Sequence, residues 1–212
     1  GIFTALELIK SRIFPKNTTK PRILMIEKGN DIDTRINNRK KGINEIMNGW
    51  GGAGAFSDGK LTLSPDVGGF LSEYVQLSTL EKYIKSVEEI YIKFGASKDR
   101  LVSGKGEEVK KAKKRALQFG ISLIPYRLLH IGTEECSKVL KNMYNEIIAS
   151  RIVEVHFNEM AKHLMVEDGQ IIGVITNKGK YHSKFVVAAT GRSGAEWIRN
   201  ECLKLGIPVA NN

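Results

Sequence analysis

Two hydrophobic periods divide this chain. Ile2, Ala5, Leu6 and Ile9 recur at i, i+3, i+4 and i+7, which predicts an amphipathic helix over residues 1–9. Ile23-Leu24-Met25-Ile26 is instead a short continuous apolar run, closed by Glu27 and Gly29, and predicts a buried parallel strand. Helical spacing then returns three times. Ser78 and Glu81 form a capping-box pattern ahead of Leu80, Tyr83, Ile84, Val87, Ile90, Tyr91 and Phe94. Val109, Ala112, Ala116 and Phe119 predict the buried face of a second helix, with Lys110, Lys111, Lys113, Lys114 and Arg115 on its wet side. Thr133 caps a third, which carries Cys136, Val139, Leu140, Met143, Tyr144, Ile147 and Ile148, with Glu134 and Glu135 at its positive end.

Past residue 150 the period becomes two. Residues 151–157 alternate as a strand, 163–167 and 171–176 flank the hairpin signal Asp168-Gly169-Gln170, and Asn177-Lys178-Gly179-Lys180 turns toward Tyr181, which predicts a small meander. Residues 184–189 read as a buried strand running into the turn Thr190-Gly191-Arg192-Ser193-Gly194 and a final helix over 195–205. The order is that of an α/β protein, with residues 1–70 and 151–212 forming one part and 71–150 a mainly helical insertion.

Composition narrows the class. At 212 residues, 42% hydrophobic and 26% charged, the chain can bury a core of one or two domains. No apolar run approaches the roughly 18 to 20 residues a membrane span needs, so no membrane partner is expected. Cys136 and Cys202 stand far apart outside any C-x-x-C, which points to neither a zinc site nor a redox dithiol and makes a cytoplasmic setting the default. Cys136 lies on an apolar stripe and reads as core. The charge of +10 concentrates in residues 35–41 and 105–115 without interleaved aromatics. A solvated face is the first reading, an anionic cofactor or substrate field the second and nucleic acid the third.

Candidate chemistry starts from helix followed by strand, the second half of a βαβ unit. In a dinucleotide-binding unit the third glycine of G-x-G-x-x-G packs the helix on the sheet, and an acid ending the second strand holds the adenosine ribose. Gly1, with Ala5 four residues on, fits that glycine, and Glu27 fits the acid. The first strand and first two glycines do not occur, so the chain reads as truncated at its start. Shortly downstream, residues 49–60 place five glycines within eleven positions, and backbone so bare offers its amides to something flat or anionic; a flavin is the candidate and a flexible surface loop the alternative. The turn at 190–194 is either a ligand-facing strand end or a plain strand-to-helix connection. No catalytic acid or base emerges: His130 precedes a helix start and Lys60 follows the glycine run, but a structural role suits each as well.

Taken together, the helix with Gly1 and Ala5, the strand ending Ile26-Glu27-Lys28-Gly29, the loop Gly51-Gly52-Ala53-Gly54-Ala55-Phe56-Ser57-Asp58-Gly59-Lys60-Leu61, His130-Ile131-Gly132-Thr133, the meander and Ala189-Thr190-Gly191-Arg192-Ser193-Gly194-Ala195 resemble the uncharacterised FAD-dependent dehydrogenases of bacteria, within the two-dinucleotide-binding-domain flavoproteins. The resemblance spans nearly the whole chain. It implies an FAD/NAD(P)-binding Rossmann-like domain, FAD as cofactor, NAD(P)H as a candidate electron donor, a small-molecule substrate and hydride transfer through the flavin. It also implies cofactor contacts from Gly1, Glu27 and Lys28 at the adenosine side, Met160 by its backbone at the adenine, Thr190, Gly191 and Arg192 near the pyrophosphate, and Gly51, Gly52, Ala53, Gly54, Phe56, Ser57 and Asp58 by the flavin ring. The chain departs from the family at both ends, where a glycine loop and a closing flavin-binding segment are expected, so the piece alone is expected to be inactive. The rival from another class is a nucleotide- or RNA-associated module that uses the basic surface without redox turnover.

Overall fold

The computed structural model describes residues 1–11, 13–14 and 21–210. In chain order the elements are α1 (Ile2–Lys10), β1 (Ile23–Ile26), α2 (Ile32–Lys40), a 3₁₀ turn (Gly52–Phe56), β2 (Lys60–Thr62), α3 (Leu77–Lys93), β3 (Leu101–Val102), α4 (Glu107–Gln118), β4 (Leu128–His130), α5 (Thr133–Ala149), β5 (Val153–His156), β6 (Ala161–Glu167), β7 (Gln170–Thr176), β8 (Lys180–His182) and α6 (Ala195–Lys204). They form two compact units, residues 1–55 with 143–212, and residues 56–142.

In the first unit β1 and β5 pair in parallel, Ile23 opposite Val153 through Ile26 opposite His156. α1 buries Ala5 and Leu6, the small and branched positions of its predicted stripe. Trp50 is 2% exposed and meets Tyr144 edge-on at 5.1 Å and Phe157 at 6.3 Å, an aromatic cluster within this unit. The meander forms as expected: β6, β7 and β8 are antiparallel, and Asp168 (φ 48°) and Gly169 (φ 75°) take the left-handed geometry of a tight hairpin turn. α6 is fastened to this sheet by Glu201, 4% exposed, which accepts the Leu164 N–H at 2.8 Å and the Lys204 ammonium at 2.6 Å.

The second unit packs α3, α4 and the first part of α5 with a three-stranded antiparallel sheet ordered β2-β4-β3. Strands of two or three residues are too short for alternation to register in sequence. Leu63, Leu80, Phe94, Leu129, Ile131, Cys136 and Val139 are buried here, which places Cys136 in the core, where burial pushes its thiol up.

Four expectations are corrected. Residues 184–189 form no strand among the described residues, and Phe185 and Val187 are 87% and 63% exposed; an apolar run reads the same whether or not a neighbour is there to pair with it. α4 has no buried residue: Val109 and Ala116 are half-buried, Ala112 is exposed, and Phe119 is 73% exposed. The capping box at Ser78 and Glu81 does not form, because α3 begins at Leu77 with Gln76 as its cap, so Ser78 already lies inside the first turn. Arg35, expected on a wet face, is fully buried.

Candidate functional site

The candidate site of the first unit is built at the carboxyl end of β1. Beyond the ladder the two parallel strands stay joined: the Glu27 N–H donates to His156 at 2.9 Å, and the Glu159 N–H returns to the Glu27 carbonyl at 3.0 Å. The Asn158 N–H reaches the Gly29 carbonyl at 3.0 Å. The Glu27 side chain turns back on its own strand end. Its Oε1 accepts the N–H of Gly29 and the N–H of Gly49, each at 2.9 Å, while Oε2 has no partner among the described residues.

Two glycines are required by this arrangement. A Cβ on Gly29 would lie 2.4 Å from the Gly49 nitrogen, and one on Gly49 (φ 95°) would lie 2.4 Å from Arg35 Cδ. The backbones of the strand end and of the glycine run therefore meet directly.

Arg35 explains how the run is held. α2 starts at Asp31, whose carboxylate accepts the N–H groups of Asp33 and Thr34, and this sets Ile32 and Arg35 on one buried face. From there the guanidinium donates from Nη1 to the Trp50 carbonyl and from Nη2 to the carbonyls of Glu45 at 2.7 Å, Ile46 at 2.9 Å and Gly52 at 3.0 Å. Sequence reasoning missed this residue. An arginine within Arg35-Ile36-Asn37-Asn38-Arg39-Lys40-Lys41 looks like a surface charge, and only the glycine-rich carbonyls nearby hint otherwise.

The structure brings several of the residues singled out in the sequence near the end of β1. A Cβ on Gly1 would stand 3.7 Å from Met25 Cε and 3.8 Å from Ala189 Cβ, so the start of α1 lies between β1 and the segment leading into the 190–194 turn. Lys28 Nζ donates to the Ser193 carbonyl at 3.3 Å, which ties the strand end to that turn. Gly191 has φ 59°, and the Gly194 position abuts Thr190 so closely that a Cβ would sit 2.4 Å from Thr190 Cβ. Thr190 is half-buried and Arg192 exposed. Met160, 40% exposed, follows Glu159, and its N–H donates to Asn177 Oδ1 at 2.7 Å.

The glycine run divides. Gly51 (φ 79°) and Gly52 (φ 54°) turn the chain into the 3₁₀ segment, where Ala53 and Gly54 are exposed and Ala55 is buried. Gly54 has no positive φ and no atom within 4 Å of the place a Cβ would take. Phe56, Ser57 and Asp58 belong to the second unit. There Ser57 Oγ accepts the Gly59 N–H at 3.1 Å, and Asp58 pairs with Lys60 at 2.9 Å, a hydrogen bond that lowers the Asp58 carboxyl and raises the Lys60 ammonium at this exposed pair. Gly59 is a packing glycine: a Cβ there would fall 2.4 Å from the Gly132 nitrogen. His130 is exposed at the end of β4.

Beside the strand end lies a polar cluster around the buried Glu159 that the sequence did not reveal. His156 Nε2 meets Glu154 at 2.8 Å and Nδ1 meets Glu159 at 2.9 Å, while Thr176 Oγ1 donates to Glu159 at 2.5 Å. The Glu154 hydrogen bond, followed by that to Glu159, raises the His156 pKa against the opposing effect of its partial burial. Burial pushes the Glu159 carboxyl up, and the hydrogen bonds from Thr176, Tyr181 and His156 reverse this and leave it below the ordinary range.

No protein-family model matches the chain. It is 26% identical over 205 residues to an uncharacterised protein of Clostridium beijerinckii, covering 92% of this chain and 30% of that one. Among solved structures it is similar to an L-amino acid deaminase from Proteus vulgaris, at 20% identity and TM-score 0.46 over 92% of this chain and 51% of that one. It is also similar to an L-proline dehydrogenase from P. horikoshii, at 18% identity and TM-score 0.45, over 90% and 57%. The chain thus spans about a third of its sequence relative and about half of these structures. Among the described residues no helix is long and apolar enough to cross a membrane.

Proposed function

We propose that this chain is the FAD-binding, Rossmann-like part of an oxidoreductase acting on a small molecule. The observation that carries the reading is the convergence of Gly1, Glu27, Lys28 and the 190–194 turn at one end of β1, with Glu27 held by one oxygen and presenting the other. A ribose diol needs such an acceptor at a strand's carboxyl end, and a pyrophosphate needs backbone amides close by. Bound there, the flavin supplies hydride transfer. The chain supplies position: Glu27 for the ribose, the backbone at Met160 for the adenine, Thr190, Gly191 and Arg192 for the pyrophosphate side, and residues 51–58 for the ring. In this reading residues 1–70 and 151–212 form the cofactor-binding part, 71–150 a mainly helical insertion, and the setting is cytoplasmic. Titration of the full-length gene product with FAD, wild type against Glu27→Ala, tests it; equal affinities contradict the assignment.

One observation favours a second reading. α4 has no fully buried residue, and residues 105–119 carry six cations against two acids. A basic surface of this kind suits an RNA-associated module, whose binding would weaken steeply with salt.

A further inference from the structure

We propose that Arg35 is a positioning residue of the candidate cofactor site: its buried guanidinium fixes the glycine run so that the Gly49 N–H holds Glu27 in the orientation a ribose meets. The inference rests on the flavoprotein reading above.

Arg35 is 0% exposed, and burying a charge is costly unless its donors are used. Here Nη1 and Nη2 donate to main-chain carbonyls of a single loop, those of Glu45, Ile46, Trp50 and Gly52. Four acceptors spread over eight residues are gathered onto one planar fork, which a guanidinium can do and a point-like ammonium cannot. Burial lowers the Arg35 pKa, and the Glu27 and Glu45 carboxylates oppose that shift. With its carbonyls drawn to Arg35, the loop turns the Gly49 N–H toward Glu27 Oε1 at 2.9 Å, beside the Gly29 N–H at the same distance. The Arg35 stem also lies where a Gly49 side chain would be, 2.4 Å from that Cβ position, so arginine, glycine and carboxylate form a continuous stack. Glu27 is left one fixed oxygen and one for a ligand. A loop displaced by even an ångström would release that fixed oxygen.

Trp50 reports on this stack independently of any flavin, since its carbonyl accepts from Arg35 and its buried ring lies against Tyr144. The test uses the full-length gene product labelled with 5-fluorotryptophan, the Trp50 resonance being assigned by its loss in Trp50→Phe, together with FAD titration. Arg35→Lys should move the Trp50 resonance and weaken FAD by about tenfold or more, as small misplacements of positioning groups do. Glu27→Gln should weaken FAD while leaving the resonance in place, because the amide oxygen still accepts both N–H groups. Should Arg35→Lys fail to fold, Arg35→Gln takes its place with the same two readouts. Wild-type affinity in the folded Arg35 variant overturns the inference, as does weakened FAD with an unmoved Trp50 resonance. A wild-type protein that takes up no FAD overturns the flavoprotein reading as well, and is told apart because wild type itself fails.

Discussion

Gly54 separates the two explanations of the glycine run. Gly49 is demanded by contact with Arg35 and Gly52 by its φ of 54°, so a side chain at either disturbs the protein with or without a cofactor. Gly54 has no positive φ, and among the described residues no atom lies within 4 Å of the place its Cβ would take. Gly54→Val is therefore expected to lower flavin occupancy of the full-length protein while the far-ultraviolet circular dichroism stays native; unaltered flavin spectra would remove residues 51–58 from the site. Glu27→Ala should weaken FAD by roughly one to two powers of ten, since charge-assisted hydrogen bonds contribute about 1.5 to 3 kcal/mol. Calorimetric titration checks this. At this scale the order of helix, strand and small-residue turn singled out Gly1, Glu27 and the 190–194 turn, and the structure sets Gly1 near Met25 and Ala189 and joins Lys28 to Ser193. Arg35 and the His156–Glu159 cluster were not, because a buried charge has the same letter as a solvated one and only three-dimensional contacts distinguish them.

At the scale of elements, hydrophobic period carried α1, β1, α5, the meander and α6, each long enough or sharply enough bounded for its pattern to show. It failed on β2, β3 and β4, which are too short, and on residues 184–189, where pairing depends on a neighbour the local pattern does not encode. Two fastenings between elements give tests. Glu201→Ala leaves the Leu164 N–H without its acceptor between α6 and β6, and should cost about 1 to 3 kcal/mol in urea unfolding. A midpoint unchanged from wild type would mean that α6 is held without Glu201, by packing and by the bond from Trp197 Nε1–H to the Lys162 carbonyl. The second is the cluster joining β5 to β7. His156 binds its proton more tightly folded than unfolded, so its contribution is full below its ordinary value of about 6.5 and is lost as pH rises through the raised one. Glu159 behaves oppositely: its contribution is present above the ordinary carboxylate range and is lost as pH falls through its depressed value. Stability should therefore peak under mildly acidic conditions, and His156→Gln should flatten the decline on the alkaline side. Urea midpoints across pH would contradict this if wild type and variant declined in parallel.

For the whole molecule, the charge of +10 and the basic α4 are compatible with either proposed function, because net charge governs encounter rather than chemistry. The convergence at the end of β1 favours a cofactor, and a cofactor of this kind has a colour. The most direct measurement is the absorbance spectrum of the full-length gene product as purified and again after denaturation and removal of protein. A yellow protein that releases FAD on denaturation is the result expected here. A colourless protein that takes up no added FAD but binds RNA in a salt-sensitive manner would contradict it.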